Sequence, residues 1–326
     1  MSVAASIRLS GRARRPWVSA RLMRAALPAL SLALIVLGVA WANPRAISYF
    51  GFSLMLGLAV PVAFATLAQM FVITVNELDL SLGPFIGFCG CVAATLLRDR
   101  PLIGAAALVG AVAVYALVGA VIQLRRLPSI VVTLGMLFVW QGMAILLLPT
   151  PGGHAPDWLR AAATLRTPLV PWPIVVVALA AAVVHFGLMR TAYGAILRGV
   201  GGNATAVERA GWSAFRAKTL MFALCGAFGV LASLALIGQT TSADATLGRG
   251  YTLQSIAGVI LGGGEFVGGR VSPVGAVIGA LTLTLAGSLL NFMRISPDWQ
   301  VGAQGAILIV VLAARVLINR VEGRRR

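Results

Sequence analysis

Residues 261–270 read Leu-Gly-Gly-Gly-Glu-Phe-Val-Gly-Gly-Arg, a glycine cluster set between two apolar, helix-like runs. Glycine at this density disfavours a helix, although the flanking sequence is apolar enough for a membrane. Inside a bilayer, irregular backbone is tolerated only where protein or a water-filled path satisfies its polar groups. The cluster therefore predicts a transport pathway rather than a membrane anchor.

The composition of the whole chain agrees with a membrane location. Of its 326 residues, 59% are hydrophobic and 11% are charged, and the mean hydropathy is +0.94. This leaves too little polar surface to coat a soluble globule. The net charge of +17 comes from basic residues scattered between apolar runs, whereas a nucleic-acid-binding protein would gather them on one face. We predict an all-α polytopic membrane protein without a nucleic-acid partner.

Runs of about 20 apolar residues cross a hydrocarbon core about 30 Å thick. Nine such runs lie at about 25–42, 52–75, 80–97, 101–124, 129–148, 168–189, 218–238, 272–291 and 299–319. A tenth candidate, 251–263, is too short for a straightforward span, so it is either a broken helix or a re-entrant segment. Glycines four apart, at Gly83 and Gly87 and again at Gly275 and Gly279, suit close contacts between helices. The prediction is a bundle of about ten transmembrane helices, one of them short or broken.

The basic residues indicate whether the tenth segment crosses, because lysine and arginine are retained in the cytoplasm near the ends of spans. With ten crossings and a cytoplasmic N-terminus, 19 of the 26 basic residues lie inside. With nine crossings, Arg270 and the basic C-terminal tail fall outside. Ten crossings and two cytoplasmic termini are therefore predicted, with a basic segment 1–24, a transmembrane domain 25–319 and a basic tail 320–326. The run ending in Ala40-Trp41-Ala42 also resembles a cleavable secretory signal, but the many spans that follow favour an uncleaved first span.

Two loops between the spans are long enough for a function. The outer loop, 149–167, has the prolines, glycines and tryptophan of an ordered interfacial segment, which either receives a soluble partner or simply connects two spans. The inner loop, 190–217, contains a predicted short helix from Ala204 to Ala210. Asn203 is its predicted cap, and Gly211 is predicted to end it.

Two glycine patterns resemble nucleotide-binding motifs without meeting their requirements. Residues 199–204 match G-x-G-x-x-A, but that fingerprint needs a βαβ unit, which the inner loop cannot hold. Residues 264–271 have the G-x-x-x-x-G spacing of a phosphate-binding loop, with Arg270 and Val271 where lysine and serine or threonine belong. The chain is therefore not expected to be an enzyme or to hydrolyse ATP itself.

Ion-coupled carriers and catalytic or metal sites are also disfavoured. Carriers keep ionisable residues inside spans, whereas the span interiors here have almost none. The sequence lacks a nucleophile motif such as G-x-S-x-G, and Cys89, Cys91 and Cys225 have neither the spacing nor the nearby histidines of a metal site. No catalytic residue, metal or bound cofactor is predicted. A self-contained pore and a bundle moved by an external motor remain.

Four stretches match motifs of one transporter family. Residues 76–83, Asn-Glu-Leu-Asp-Leu-Ser-Leu-Gly, are similar to a Gly-Gly-Ile-Asp-Leu-Ser-Val-Gly signature, and residues 128–136 to a Pro-Ser-Phe-Ile-Val-Thr-Leu-Gly-Met segment. Residues 201–211 resemble a cytoplasmic coupling loop, and residues 250–300 resemble the family's C-terminal third. The family is that of the membrane permeases of bacterial ATP-binding cassette importers, in the ribose, xylose and arabinose branch.

The chain departs from this family at two places. Asn76 and Glu77 replace the paired glycines of the signature, which makes that turn stiffer and more polar. Ala204 and Thr205 stand where many members have acidic residues, which leaves Glu208 as the only carboxylate of the inner helix. The position of that helix is therefore a firmer expectation than the role of its side chains.

The resemblance implies a multi-subunit importer in the bacterial inner membrane. Two permease copies, taken as identical, would form the pathway for a monosaccharide, either a pentose, a hexose or a related polyol. A separate ATPase, as two chains or one fused tandem, would use ATP and Mg²⁺, and a periplasmic binding protein would deliver the solute. Two alternatives stay open: a self-contained channel or facilitator for a small polar solute, and an importer permease for nucleosides or another non-sugar solute.

The resemblance also suggests which residues act. Coupling to the ATPase is assigned to Gly202, Asn203, Glu208, Arg209, Gly211 and Trp212. The translocation path is assigned to a helix break at Asp79 and Ser81, and to backbone at Gly262, Gly263, Gly268 and Gly269. For Asp79 the alternative is a cap of the third span, with its carboxylate on free amides.

Overall fold

The computed structural model describes residues 17–266 and 268–296, together with isolated positions between 299 and 313. The helices of these residues are α1 (Trp17–Ala42), α2 (Tyr49–Thr74), α3 (Leu82–Ala94), α4 (Leu96–Asp99), α5 (Pro101–Arg125), α6 (Ser129–Leu147), α7 (Asp157–Ala163), α8 (Trp172–Val184), α9 (Ala192–Arg209), α10 (Ala214–Thr240), α11 (Arg249–Leu261) and α12 (Pro273–Phe292). A 3-10 turn, Pro44–Ile47, precedes α2, and a π-helical turn, His185–Met189, follows α8. The described part of the chain is thus all-α, as predicted.

Seven helical stretches of the described residues are long and apolar enough to cross a membrane, and each coincides with a predicted span. They are Tyr49–Thr74, Leu82–Asp99, Pro101–Arg125, Ser129–Leu147, Trp172–Met189, Ala214–Thr240 and Pro273–Phe292. Helix α1 covers the first predicted span, with the apolar stretch Ala26–Ala42. The predicted span at 299–319 and the tail 320–326 fall outside the continuously described residues.

Helix α2 is the centre of the bundle. Of the most apolar 18-residue stretch of α2, 83% is buried, compared with 17% of the corresponding stretch of α6. Helix α2 packs against α8, α10, α11 and α12. A helix that is apolar on every side is suited to such a central position. Helix α6 instead presents most of its apolar side chains outward, as a helix at a lipid-facing periphery does.

Helices α3 and α11 are each 13 residues long. At a rise of 1.5 Å per residue each alone is about 20 Å long, which is less than the hydrocarbon core of a bilayer. Helix α3 reaches a spanning length only together with α4, as the stretch Leu82–Asp99. Non-helical segments at 75–81 and 241–248 precede them and complete the path of the chain. The short apolar segment predicted at 251–263 is therefore a short helix, which begins two residues earlier than predicted.

The two ends of the bundle are defined by contacts between distant segments. At one end, which we call the α9 end, Gly201 lies against Thr74 O and Gly269. At the other, the α7 end, Gly152 and Ala243 form an antiparallel bridge. The chain between Ala243 and Gly269 therefore passes from the α7 end to the α9 end through α11.

Paired glycines bring neighbouring helices into backbone contact, as their spacing predicts. An added Cβ at Gly248 would lie 2.0 Å from Gly83 O, and one at Gly279 would lie 2.0 Å from Gly258 O. Neither distance leaves room for a side chain. These contacts hold α11 tightly between α3 and α12.

The two long loops are more ordered than plain connectors. In the outer loop, His154 N donates to Ala94 O at 3.0 Å, and α7 packs against α10. The inner loop is more helical than predicted, because α9 already begins at Ala192, where the Thr191 hydroxyl accepts from Gly194 N and caps it.

Candidate coupling and translocation site

The tip of α9 has the local structure that its sequence predicts. Asn203 is extended (φ −158°, ψ 94°) and divides α9 into two parts. Its Oδ1 accepts from Ala206 N at 3.0 Å, the geometry of an N-cap. At the other end Gly211 has φ +87°, and Gly211 N and Trp212 N donate to Glu208 O and Val207 O. This pair of bonds is a Schellman motif, which ends a helix at a left-handed glycine.

The side chains assigned to coupling lie on the outside of this tip. Gly202, Glu208, Arg209 and Gly211 are exposed, and 51% of Trp212 is exposed. An exposed tryptophan beside charged residues is typical of protein interfaces. The tip therefore presents a compact surface beyond the end of the bundle.

The base of the same helix contacts the bundle through backbone atoms. A Cβ added at Gly201 would lie 2.1 Å from Thr74 O and 2.9 Å from Gly269 Cα. One added at Gly269 would lie 2.4 Å from Arg198 O. Three segments that are remote in sequence thus meet without intervening side chains: α9, the end of α2 and the glycine cluster.

An ion pair joins the same region to α10. Lys218 Nζ lies 2.5 Å from Glu77 Oε1, and the two side chains are 15% and 13% exposed. Lys218 is the only lysine of the chain, and Glu77 lies in the turn that follows α2. The ion pair therefore links the turn after α2 to the start of α10.

Two of the motifs recognised in the sequence bind each other. Ser129 Oγ accepts from Leu78 N at 3.1 Å, and Thr133 Oγ1 accepts from Leu80 N at 3.1 Å. The non-helical backbone at 75–81 lacks intrahelical partners, and buried N–H groups require acceptors. The first turns of α6 supply them, a pairing that neither motif predicts on its own.

Asp79 is fully buried at the centre of this segment. Its Oδ1 accepts from both Ser81 N and Ser81 Oγ at 2.7 Å, and its Oδ2 accepts from the Tyr115 hydroxyl at 2.8 Å and lies 3.7 Å from Cys225 Sγ. The Gln69 amide lies 3.2 Å from both the backbone N and O of Asp79, where a suitably turned amide pairs with both. Asp79 accepts one free amide at the start of α3, as a cap would, and its carboxylate also binds the hydroxyl of Ser81 and side chains of α5 and α10.

The glycine cluster forms a turn between α11 and α12. Gly263, Gly268 and Gly269 have φ of +95°, +88° and +63°, values that only glycine adopts freely. A Cβ at Gly262 would lie 2.1 Å from Gly275 O. The helix break is thus where the sequence predicts it, and its glycines serve sharp turns and a close helix contact.

A polar cavity of about 220 Å³ lies between α2, α11 and α12. Its lining combines apolar residues of α2 and α12 with polar residues of α11 and α12: Leu58, Val62, Tyr251, Gln254, Leu283, Thr284, Gly287, Ser288 and Asn291. None of the residues assigned to the path lines it. The sequence contained a signal for it, since Thr284, Ser288 and Asn291 are spaced by four and three residues and so share one face of α12.

Comparisons with known proteins identify similar membrane permeases. The family described as branched-chain amino acid transport system / permease component matches residues 51–312. The ribose import permease protein RbsC of Escherichia coli is 28% identical over 261 residues, which cover 77% of this chain and 80% of that protein. The probable ABC transporter permease protein YphD of Escherichia coli is 30% identical over 270 residues, 80% of each chain. The fructose import permease protein FrcC of Rhizobium meliloti is 28% identical over 305 residues, 90% of this chain and 84% of that protein. No solved structure matches.

Proposed function

Because the chain belongs to the family of permease components of the branched-chain amino acid transport type, we propose that it forms the pathway of an importer for a monosaccharide. It is a multi-pass protein of the bacterial inner membrane. A permease of this family works with an ATPase and a solute-binding protein, so the chain is not itself an enzyme. ATP and Mg²⁺ are used by the partner ATPase, and this chain binds no cofactor.

The choice of a sugar rests on the relatives. Two of the similar proteins are named for the import of ribose and of fructose, a pentose and a hexose. The family description names branched-chain amino acids instead, and nucleosides are a further candidate. The uncharged lining of the cavity between α2, α11 and α12 favours a neutral solute, because a zwitterion would leave its charges unpaired there.

The proposed coupling role of α9 rests on its backbone contacts with two other segments of the bundle. The exposed tip with Glu208, Arg209 and Trp212 receives the ATPase, while Gly201 at the base rests on main-chain atoms of Thr74 and Gly269. Main-chain contacts cannot yield by a change of rotamer. A push on the tip therefore moves the end of α2 and the glycine cluster together, the rigid-body coupling that such a transporter requires.

The helix breaks are the elements of the path that respond to this movement. Asp79 and Ser81 hold the break before α3, and Gly262, Gly263, Gly268 and Gly269 permit the turn after α11. A second, identical copy completes the path within the lipid bilayer. Ten spans with both termini in the cytoplasm agree with the positive-inside distribution and with the passage of α11 between the two ends. The α9 end is then cytoplasmic, and the α7 end faces the periplasmic binding protein.

The first experiment is purification of the tagged chain from bacterial membranes in mild detergent, with identification of the bound proteins. We expect a protein with a phosphate-binding G-x-x-x-x-G-K-[ST] loop to co-purify. We expect the chain, reconstituted in liposomes with that protein and the binding protein, to transport ribose or fructose only when ATP is present on the side of the membrane that carries the ATPase. Solute flux through the chain alone, without ATP, would establish the facilitator instead.

A further inference from the structure

We propose that the cavity between α2, α11 and α12 is a binding site for a polyhydroxylated, uncharged solute, with Gln254 as its principal hydrogen-bonding residue. This inference rests on the proposed function, since it names the place where the transported sugar is held. It adds residues outside the two helix breaks.

The lining has the chemistry that a sugar requires. The Gln254 amide and the Tyr251 hydroxyl have no hydrogen-bond partner among the residues that the structure describes, and an amide supplies two donors and an acceptor. Thr284 Oγ1 and Ser288 Oγ donate to Ala280 O and Thr284 O within α12, so their oxygens still accept bonds from hydroxyl groups. Exposing so many polar groups to lipid alone would cost free energy, because they would lack hydrogen-bond partners. The cavity is therefore suited to water and polar solutes.

The apolar side of the cavity completes the match. Leu58 and Val62 of α2 and Leu283 of α12 form a surface for the C–H groups of a sugar ring. No aspartate, glutamate, arginine or lysine is among the lining residues. At about 30 Å³ for each molecule, the volume holds about seven waters, which is comparable to one small sugar. A neutral polyol fits this lining better than a carboxylate or a phosphate ester.

The position of the cavity along the helices suggests one open side. Thr284 lies about 16 Å and Asn291 about 27 Å from the start of α12 at the α9 end, at 1.5 Å per residue. Asn291, at the α7 end, is exposed. On the other side, Gly258 and Gly279 bring α11 and α12 into backbone contact. The cavity is therefore reached from the α7 end and closed toward the α9 end.

Cysteine labelling tests the site without relying on transport. Ser288→Cys places a thiol in the cavity, and Ser255→Cys places one at a fully buried position of α11. The native cysteines Cys89, Cys91 and Cys225 are buried and provide a low background. We expect a water-soluble methanethiosulfonate to modify Ser288→Cys and not Ser255→Cys, and ribose or fructose to slow the modification. An unreactive Ser288→Cys, or a rate that neither sugar changes, overturns the proposal.

Uptake measurements then assign the hydrogen bonds. Gln254→Leu and Thr284→Val should each lower ATP-driven sugar uptake about fivefold to tenfold, the effect of losing one hydrogen bond of about 1 kcal/mol or slightly more. Thr282→Val is the matched control, because Thr282 lies on the same helix, is buried and donates to Ile278 O in the same manner. Equal uptake by all three variants and the wild type overturns the assignment. Absent uptake by the wild type instead contradicts the proposed function, while the labelling result still decides whether the cavity binds a sugar.

Discussion

Replacement of Gly201 by alanine is the most direct test of the backbone contact at the base of α9. The new Cβ would lie 2.1 Å from Thr74 O and 2.9 Å from Gly269 Cα, which are main-chain atoms of two other segments. Overpacking of this kind costs about 1–3 kcal/mol, and the gain of alanine over glycine in a helix, about 1 kcal/mol, offsets only part of it. We expect a net loss of up to about 2 kcal/mol in stability and a larger loss of coupling.

For the unfolding measurement the matched control is Gly202→Ala, since a Cβ at Gly202 meets no atom within 4 Å. The measurement is thermal unfolding of the purified subunit in detergent, followed by ATP-driven uptake at equal membrane levels. Gly201→Ala should melt several degrees below the wild type, whereas Gly202→Ala should melt at or above the wild-type temperature. Equal melting temperatures for Gly201→Ala and the wild type would refute the contact. Equal losses in both variants would show that α9 tolerates no added methyl group, whatever its surroundings.

Three further predictions concern the same region. Asn203→Ala removes the cap of the exposed tip and should cost about 1 kcal/mol locally, so ATP-driven uptake should fall while the membrane level stays normal; unchanged uptake would contradict docking at this helix. Asp79→Asn disturbs a fully buried hydrogen-bond network and should reduce the amount of folded protein, with a smaller effect for Tyr115→Phe; intact Asp79→Asn protein without uptake would point to a direct role in transport. Glu77→Gln and Lys218→Met should each destabilise the subunit more than half as much as the double variant, with a coupling energy of about 0.5–3 kcal/mol in a double-mutant cycle, and strictly additive losses would show that the ion pair contributes nothing.

Local features of the structure were predictable from the sequence. Asn203 begins the tip of α9 and Gly211 ends it, through hydrogen bonds between residues no more than five positions apart. Residue type and spacing therefore suffice to identify both ends. The glycine cluster was likewise recognisable, because left-handed turns and close helix contacts demand a residue without a side chain.

Features that depend on residues remote in sequence were not predictable in this way. Ser129 and Thr133 bind the backbone at 75–81, and nothing in either motif names the other as its partner. The cavity was not predictable for a related reason: Gln254 is one of several polar residues on α11, and only the fold brings it to the same cavity as Thr284 of α12. Propensity and periodicity describe single elements, whereas these sites arise between elements.

The partners of the buried break at 75–81 also set the order in which the subunit can be assembled during synthesis. Leu78 N has its hydrogen-bond acceptor only after Ser129 has been synthesised. Gly83 N, in the first turn of α3, has its acceptor only after Thr252 has been synthesised, 169 residues further along the chain. At roughly 5–20 residues per second, the ribosome needs roughly ten to thirty seconds to make that segment. During this interval each unsatisfied N–H costs several kcal/mol if it enters lipid. The nascent N-terminal half therefore depends on the translocon or an insertase to keep these N–H groups out of the lipid until α11 has been synthesised.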